Sequence, residues 1–137
     1  MPDTTPAGTA PLSADVVGLA AILLTSGAIH LLRPEVFEPI VPHLLPYKRE
    51  IVHGSGVAEI ACGLGLLVRP TRRAAGLASA TLLAAVFPAN VQMTADWARH
   101  ANRRGDARSR AMLAGTVLRL PLQWPMIRTA LRAAGRR

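Results

Sequence analysis

Two charged side chains lie deep inside apolar segments of this chain. Glu59 is near the middle of residues 51–68, IVHGSGVAEIACGLGLLV, a run just long enough to cross the hydrocarbon core of a bilayer. Arg119 lies within residues 112–127, MLAGTVLRLPLQWPMI. Each needs a partner, because a charged side chain at the bilayer centre costs about 2.5 to 3.5 kcal/mol on insertion scales. The sequence therefore predicts a buried Glu59/Arg119 ion pair between two transmembrane helices.

Other polar residues are predicted to lie in the same half of the membrane. Counting a rise of 1.5 Å per residue from the loop side, His30 lies about 3 to 4 Å inside and Asn90 about 8 Å. Arg119, at about 12 Å, and Glu59, at about 14 Å, are nearly level. The predicted pocket, to which each of four helices contributes at least one side chain, consists of His30, Ser55, Glu59, Asn90, Arg119 and Gln123.

The residue types in this set suggest acid–base chemistry on a bound molecule. A carboxylate beside a guanidinium stays ionised, so Glu59 could act as a general base. His30 could exchange protons with the membrane surface. The candidate catalytic residues are Glu59, Arg119 and His30, and the candidate ligand-binding residues are Asn90, Gln123 and Ser55.

A structural interpretation of the same residues stays open, in which the polar network only fixes the register of the bundle. Hydrogen bonds buried in a membrane contribute about 0.6 kcal/mol on average, whereas desolvating two charges costs several kcal/mol per ion. Apolar residues would stabilise such a bundle better, which favours a functional site. No metal site is expected, since His53 lies about 120° from Glu59 around the helix.

The elements that would carry these residues are four helices, at 14–32, 49–68, 74–95 and 111–134. We therefore expect an all-α fold, a four-transmembrane-helix bundle. Between helices 1 and 2, four prolines within residues 33–50 rule out a long regular helix and predict an interfacial or re-entrant segment. Residues 96–110 are expected to form a solvated basic loop. The expected domain organisation is a disordered tail at 1–13, a transmembrane domain at 14–134 and a basic tail at 135–137.

Composition supports a membrane protein. Half of the 137 residues are hydrophobic and 18% are charged, fewer than the roughly 25% of a typical soluble domain. The charges are concentrated between the apolar runs, where Arg side chains can anchor helix ends at anionic headgroups. The net charge of +8 is therefore not taken as a sign of nucleic-acid binding. The numbers of Lys and Arg on the two sides are balanced, so charge does not orient the protein.

The order of several motifs resembles the DoxX-like family of small membrane proteins. The motifs are GAIHLLRPEVFEPIVPHLLP, SGVAEIACGLGLL, TRRAAG, VFPANVQM and LRLPLQWP. The resemblance implies a four-helix bundle in a bacterial inner membrane. It also implies a redox-associated or assembly role, since some members are subunits of thiosulfate:quinone oxidoreductases and others are assembly factors. The single cysteine, Cys62, excludes direct dithiol chemistry.

Two functions remain as hypotheses. In the first, the polar pocket binds a lipophilic small molecule such as a quinone, the one candidate cofactor, and the protein is a redox-associated accessory or a small membrane enzyme. In the second, the protein is a non-catalytic assembly or scaffold protein. Expected partners are membrane lipid, a lipophilic ligand and a membrane or redox protein, with no nucleic acid.

Overall fold

The computed structural model describes residues 12–136, and this part of the chain is helical without β-strands. The four α-helices are α1 (Ala14–Leu32), α2 (Lys48–Leu67), α3 (Arg72–Arg104) and α4 (Ala107–Ala133). The predicted all-α class is confirmed. Most of the tail predicted at 1–13, and residue 137 of the tail predicted at 135–137, lie outside the described residues.

The four α-helices form a ring in which each packs against its neighbours in sequence and α1 also meets α4. Glycines bring α1 and α2 close together. A Cβ atom on Gly27 would lie 2.7 Å from the carbonyl oxygen of Gly56, and one on Gly63 would lie 2.8 Å from Cγ of Leu24. Small residues at such crossings let helix backbones approach closely. This contact fixes the register of α1 against α2, and α2 lies diagonally across the ring from α4.

Helices α3 and α4 are longer than the helices predicted from the sequence at 74–95 and 111–134. The predicted loop at 96–110 is wrong, because α3 continues to Arg104 and α4 already begins at Ala107. No proline or glycine interrupts this part of α3, and Asp96 forms a salt bridge with Arg99 one turn later. The high density of charge therefore belongs to solvated helix, not to a loop.

A two-residue turn joins α3 to α4. Gly105 adopts a left-handed conformation (φ 64°), and its N–H donates to the carbonyl oxygen of Ala101 at 2.8 Å, which ends α3. Asp106 then caps α4, since its carboxylate accepts from the backbone N–H of Ser109 at 2.7 Å. The hydrogen bonds from Ser109 lower the pKa of Asp106 below its ordinary value of 3.8. Gly105 and Asp106 therefore form the whole connection between α3 and α4.

The proline-rich connection between α1 and α2 contains only two short 3-10 helices, Pro34–Val36 and Glu38–Ile40. Proline has no N–H to donate, which agrees with the predicted lack of a longer helix. The Gln92 side chain on α3 donates to the carbonyl oxygen of Ile40 at 3.3 Å and fastens the connection across the bundle. The connection therefore covers one end of the space between the helices.

Three helical segments are long and apolar enough to cross a membrane: Ala14–Leu32, Lys48–Leu67 and Arg69–Arg104. These findings suggest a membrane protein. Among the described helices, α4 does not reach the same mean hydropathy, and its sequence contains Arg119, Gln123 and two prolines.

Candidate functional site

A cavity of about 450 Å³ lies beneath the proline-rich connection, between α1, α2 and α3, with one contribution from α4. Its walls are mainly apolar. The polar side chains that line it are His30, Ser55, Glu59, Asn90 and Arg119. Five of the six residues selected from the sequence therefore line one cavity, and the sixth, Gln123, lies behind Asn90.

The most unusual group in the cavity wall is the carboxylate of Glu59. The residue is buried, and its Oε2 atom has no hydrogen-bond donor among residues 12–136. His30 Nδ1 lies 3.5 Å from this oxygen but donates its hydrogen to the backbone carbonyl of Ser26, at 2.7 Å. A buried carboxylate oxygen without a donor is energetically unfavourable, so Glu59 retains the capacity to accept a hydrogen bond.

The imidazole of His30 is held in place on two sides. The hydrogen bond to Ser26 fixes one ring nitrogen, and the ring of Phe37 stacks on the imidazole with centroids 3.8 Å apart and planes 11° apart. In the neutral ring with its proton on Nδ1, Nε2 carries a lone pair. Glu59 and His30 together therefore present hydrogen-bond acceptors in a mainly apolar cavity.

The predicted ion pair between Glu59 and Arg119 is wrong. The two side chains line the same cavity, but they form no salt bridge, and Arg119 makes no hydrogen bond or ion pair with any other described residue. The depth estimate placed both residues correctly in one cavity, but it did not show that α2 and α4 lie diagonally across the ring. The partner nearest to Glu59 is His30, which the sequence analysis had placed about 10 Å away in depth.

Asn90 and Gln123 form a separate network between α3 and α4. The Asn90 side-chain amide donates to Oε1 of Gln123 at 3.0 Å, and the Gln123 amide donates to the backbone carbonyl of Leu83. Leu83 precedes Ala84, the residue whose carbonyl loses its helical partner because Pro88 has no N–H. Both amides are buried and hydrogen-bonded to protein, so this pair serves the packing of α3 on α4, although Asn90 also lines the cavity.

Phe37 is the residue of the site that the sequence analysis did not select. It belongs to the proline-rich connection, directly after the first 3-10 helix. The signal that could have identified it is weak: a single aromatic residue among the prolines that close the end of α1. Only the fold shows that it covers His30.

The described chain is thus a helical bundle with three helices apolar enough to cross a membrane and with a partly polar cavity. A profile for a domain of unknown function, DUF8561, matches residues 19–134, and the chain belongs to this family. The resemblance to DoxX-like proteins is therefore wrong, and the redox association and bacterial inner-membrane location that it implied lose their basis. No curated protein and no solved structure matches the chain.

Proposed function

We propose that the protein is a multi-pass membrane protein that binds a lipophilic molecule bearing a hydroxyl group, such as a quinol, in the cavity lined by Glu59 and His30. The observation that carries the proposal is the buried Oε2 of Glu59, an acceptor without a donor on the wall of an otherwise apolar cavity. A hydroxyl group would supply the missing donor, and the apolar walls would hold the rest of the molecule.

The proposal places all four α-helices across the bilayer. The outward side of α4 exposes Val117, Leu118, Leu122 and Trp124 together with Arg119, while Gln123 faces α3. This pattern suits a fourth span that turns most of its apolar residues to lipid and carries one exposed cation, Arg119. At 1.5 Å per residue, the 33 residues of α3 extend about 50 Å, so that its basic end passes beyond the roughly 30 Å hydrocarbon core.

Within the site, each residue has a distinct role. Glu59 accepts the hydrogen bond from the ligand hydroxyl and can take up its proton. His30 lies beside the Glu59 carboxylate in the cavity wall. Phe37 stacks on the His30 imidazole and excludes water from it. Ser55, one helical turn from Glu59 on the same wall, can orient a second oxygen of the ligand.

The scaffold interpretation is favoured only for the Asn90–Gln123 pair, whose hydrogen bonds are satisfied within the protein. The same explanation does not fit Glu59, whose unpaired oxygen contributes nothing to the packing of the helices. The two functions therefore make different predictions for the two parts of the polar set.

Binding of a short-chain ubiquinol analogue to the protein in lipid nanodiscs tests the proposal. Glu59→Gln should weaken binding about 2- to 10-fold, as expected for the loss of one hydrogen bond from the ligand hydroxyl. Glu50→Gln is the matched control, because it makes the same change in the exposed first turn of α2 and should leave affinity unchanged.

A comparison of ligands provides a test that needs no variant. The dimethyl ether of the same quinol has no hydroxyl donor, so the wild-type protein should bind it more weakly than the quinol. In Glu59→Gln this preference should disappear. Equal affinity of the wild-type protein for quinol and ether, or equal quinol affinity of the two Glu variants, would leave Glu59 with no ligand role and favour the scaffold function.

A further inference from the structure

A second cavity, of about 480 Å³, lies on the other side of the proline-rich connection, between this connection, α3 and α4. Its lining is mainly apolar and includes Val36, Trp97 and Met112. It shares a wall with the first cavity, formed by Phe37, Ile40, Met93 and Arg119. Arg119 is the only charged side chain that lines both cavities among the described residues.

The second cavity extends along α3 and α4 from the depth of Arg119 towards the basic end of the α3–α4 hairpin. The hydrogen bond between Asn90 and Gln123 sets the level of the two antiparallel helices. Arg119 lies four residues before Gln123 on α4. It is therefore about level with Thr94, which lies four residues after Asn90 on α3. Trp97 and His100 lie roughly one to two turns nearer the hairpin end, at the depth where aromatic residues meet a membrane interface.

The charge in this cavity is uncompensated. Asp96 is its only carboxylate, and it is already neutralised by its salt bridge with Arg99. The Arg119 guanidinium is always protonated and has no hydrogen-bond acceptor or counter-ion among residues 12–136. Arg119 is exposed, so in the proposed bilayer placement its guanidinium faces the lipid region, where an unpaired cation is costly and an anion from outside the chain would offset that cost.

We propose that the second cavity binds the phosphate headgroup of an anionic membrane phospholipid through Arg119. The planar guanidinium can hold two phosphate oxygens at once, and its long side chain can reach towards the interface. Trp97 and Met112 would lie beside the headgroup, and the acyl chains would extend from Arg119 towards the membrane centre, along the exposed Leu122 of α4. The exposed Arg103 and Arg104 at the end of α3 favour a lipid with net negative charge over a zwitterionic one. The inference rests on the proposed membrane placement, but not on the ligand of the Glu59 cavity.

Native mass spectrometry of the protein in detergent with dioleoyl-phosphatidylglycerol or dioleoyl-phosphatidylcholine tests this site. The wild-type protein should retain phosphatidylglycerol in preference to phosphatidylcholine. Arg119→Gln should weaken retention of phosphatidylglycerol about 10- to 100-fold, since it removes a charge-assisted pair of hydrogen bonds. Arg128→Gln is the matched control, because it removes one exposed positive charge from the same helix and should leave retention unchanged.

Further arms of the experiment separate the possible explanations. Arg119→Lys keeps the charge without the two-pronged geometry, so its retention should fall between wild type and Arg119→Gln, and this variant suffices if Arg119→Gln does not fold. Soluble glycerol phosphate should not displace the lipid; displacement would identify a site for free phosphate instead. The proposal is overturned if Arg119→Gln retains the lipid as well as wild type, if Arg128→Gln loses as much, or if both lipids are retained equally.

Quinol binding measured on the same preparations keeps the two proposals apart. Glu59→Gln should retain phosphatidylglycerol normally. If quinol binding fails while the lipid preference holds, only the proposed function of the Glu59 cavity falls. If the wild-type protein does not float with lipid vesicles in a density gradient, the membrane placement itself is wrong.

Discussion

A close crossing of α1 and α2 connects the fold directly to the candidate site, and a single methyl group tests it. A Cβ atom on Gly56 would lie 2.8 Å from Cβ of His30 and 2.9 Å from the carbonyl oxygen of Gly27. Neither neighbour is the end of a flexible side chain that could turn away. We therefore expect Gly56→Ala to push α1 and α2 apart and to displace His30 from Glu59.

The size of the effect follows from the contact distances. Carbon atoms in contact lie about 3.5 to 4.0 Å apart, so the helices must separate locally by about 0.7 Å. Overpacking of this kind costs about 1 to 3 kcal/mol. Gly54→Ala is the matched control, because a Cβ on Gly54 would meet no atom within 4 Å. Both substitutions lie inside α2 and gain the same helix propensity, about 0.5 to 1 kcal/mol, which cancels in the comparison.

Unfolding in mixed micelles with a rising fraction of sodium dodecyl sulfate, followed by far-UV circular dichroism, measures the difference. Gly56→Ala should be less stable than Gly54→Ala by about 1 to 3 kcal/mol. Gly56→Ala should also bind quinol more weakly than the wild-type protein does, because the added methyl group displaces His30 in the wall of the cavity. Equal stability of the two variants would show that α1 and α2 do not cross at this close distance and that the crossing does not hold His30 beside Glu59.

Two further predictions concern the α3–α4 hairpin. Gln123→Leu leaves the Asn90 amide without its acceptor and removes the donor to the Leu83 carbonyl, so the same micelle titration should show a loss of about 1 to 3 kcal/mol. Adding Asn90→Leu should recover part of this loss, and strict additivity of the two changes would argue against a coupled pair. Because the pKa of Asp106 is lowered in the folded state, its cap should be fully formed above pH 3.8 and be lost as the pH falls through the lowered pKa. Hydrogen exchange should show the loss of the cap as a fall in the protection factor of the Ser109 amide. Asp106→Asn has no titrating carboxylate at this position. A fall of the same size in this variant would show that protonation of Asp106 is not the cause.

The helices could be predicted from the sequence wherever apolar runs and proline marked them. The predicted helix at 14–32 coincides with α1, and the predicted helix at 49–68 differs from α2 by one residue at each end. The extension of α3 to Arg104 could not be predicted in this way, because hydropathy reports where a helix can lie in lipid and not where its backbone stops being helical. The Gly105–Asp106 turn was the better boundary signal, since both residues act on the backbone directly.

The candidate site could be predicted as a set of residues but not as a set of contacts. Depth along a helix follows from residue number, and this was enough to bring His30, Glu59, Asn90 and Arg119 to one cavity. Which helices are neighbours depends on packing between surfaces, and the diagonal position of α2 and α4 is not encoded in any one segment. Charge complementarity alone therefore selected the wrong partner for Glu59.

The distance between Glu59 and His30 shows what the depth count left out. A side chain on an α-helix leans towards the N-terminus of its own helix. In the antiparallel pair α1 and α2, the N-terminus of α2 lies at the proline-rich connection and that of α1 at the opposite end. Glu59 therefore leans towards the connection and His30 leans away from it, so the two side chains approach each other from different levels and come within 3.5 Å. The same rule directs Arg119 towards the start of α4, and hence towards Trp97 and the second cavity. Side-chain direction thus accounts for the two features that the proposals depend on: an acid that meets histidine in the first cavity, and a guanidinium that enters the second.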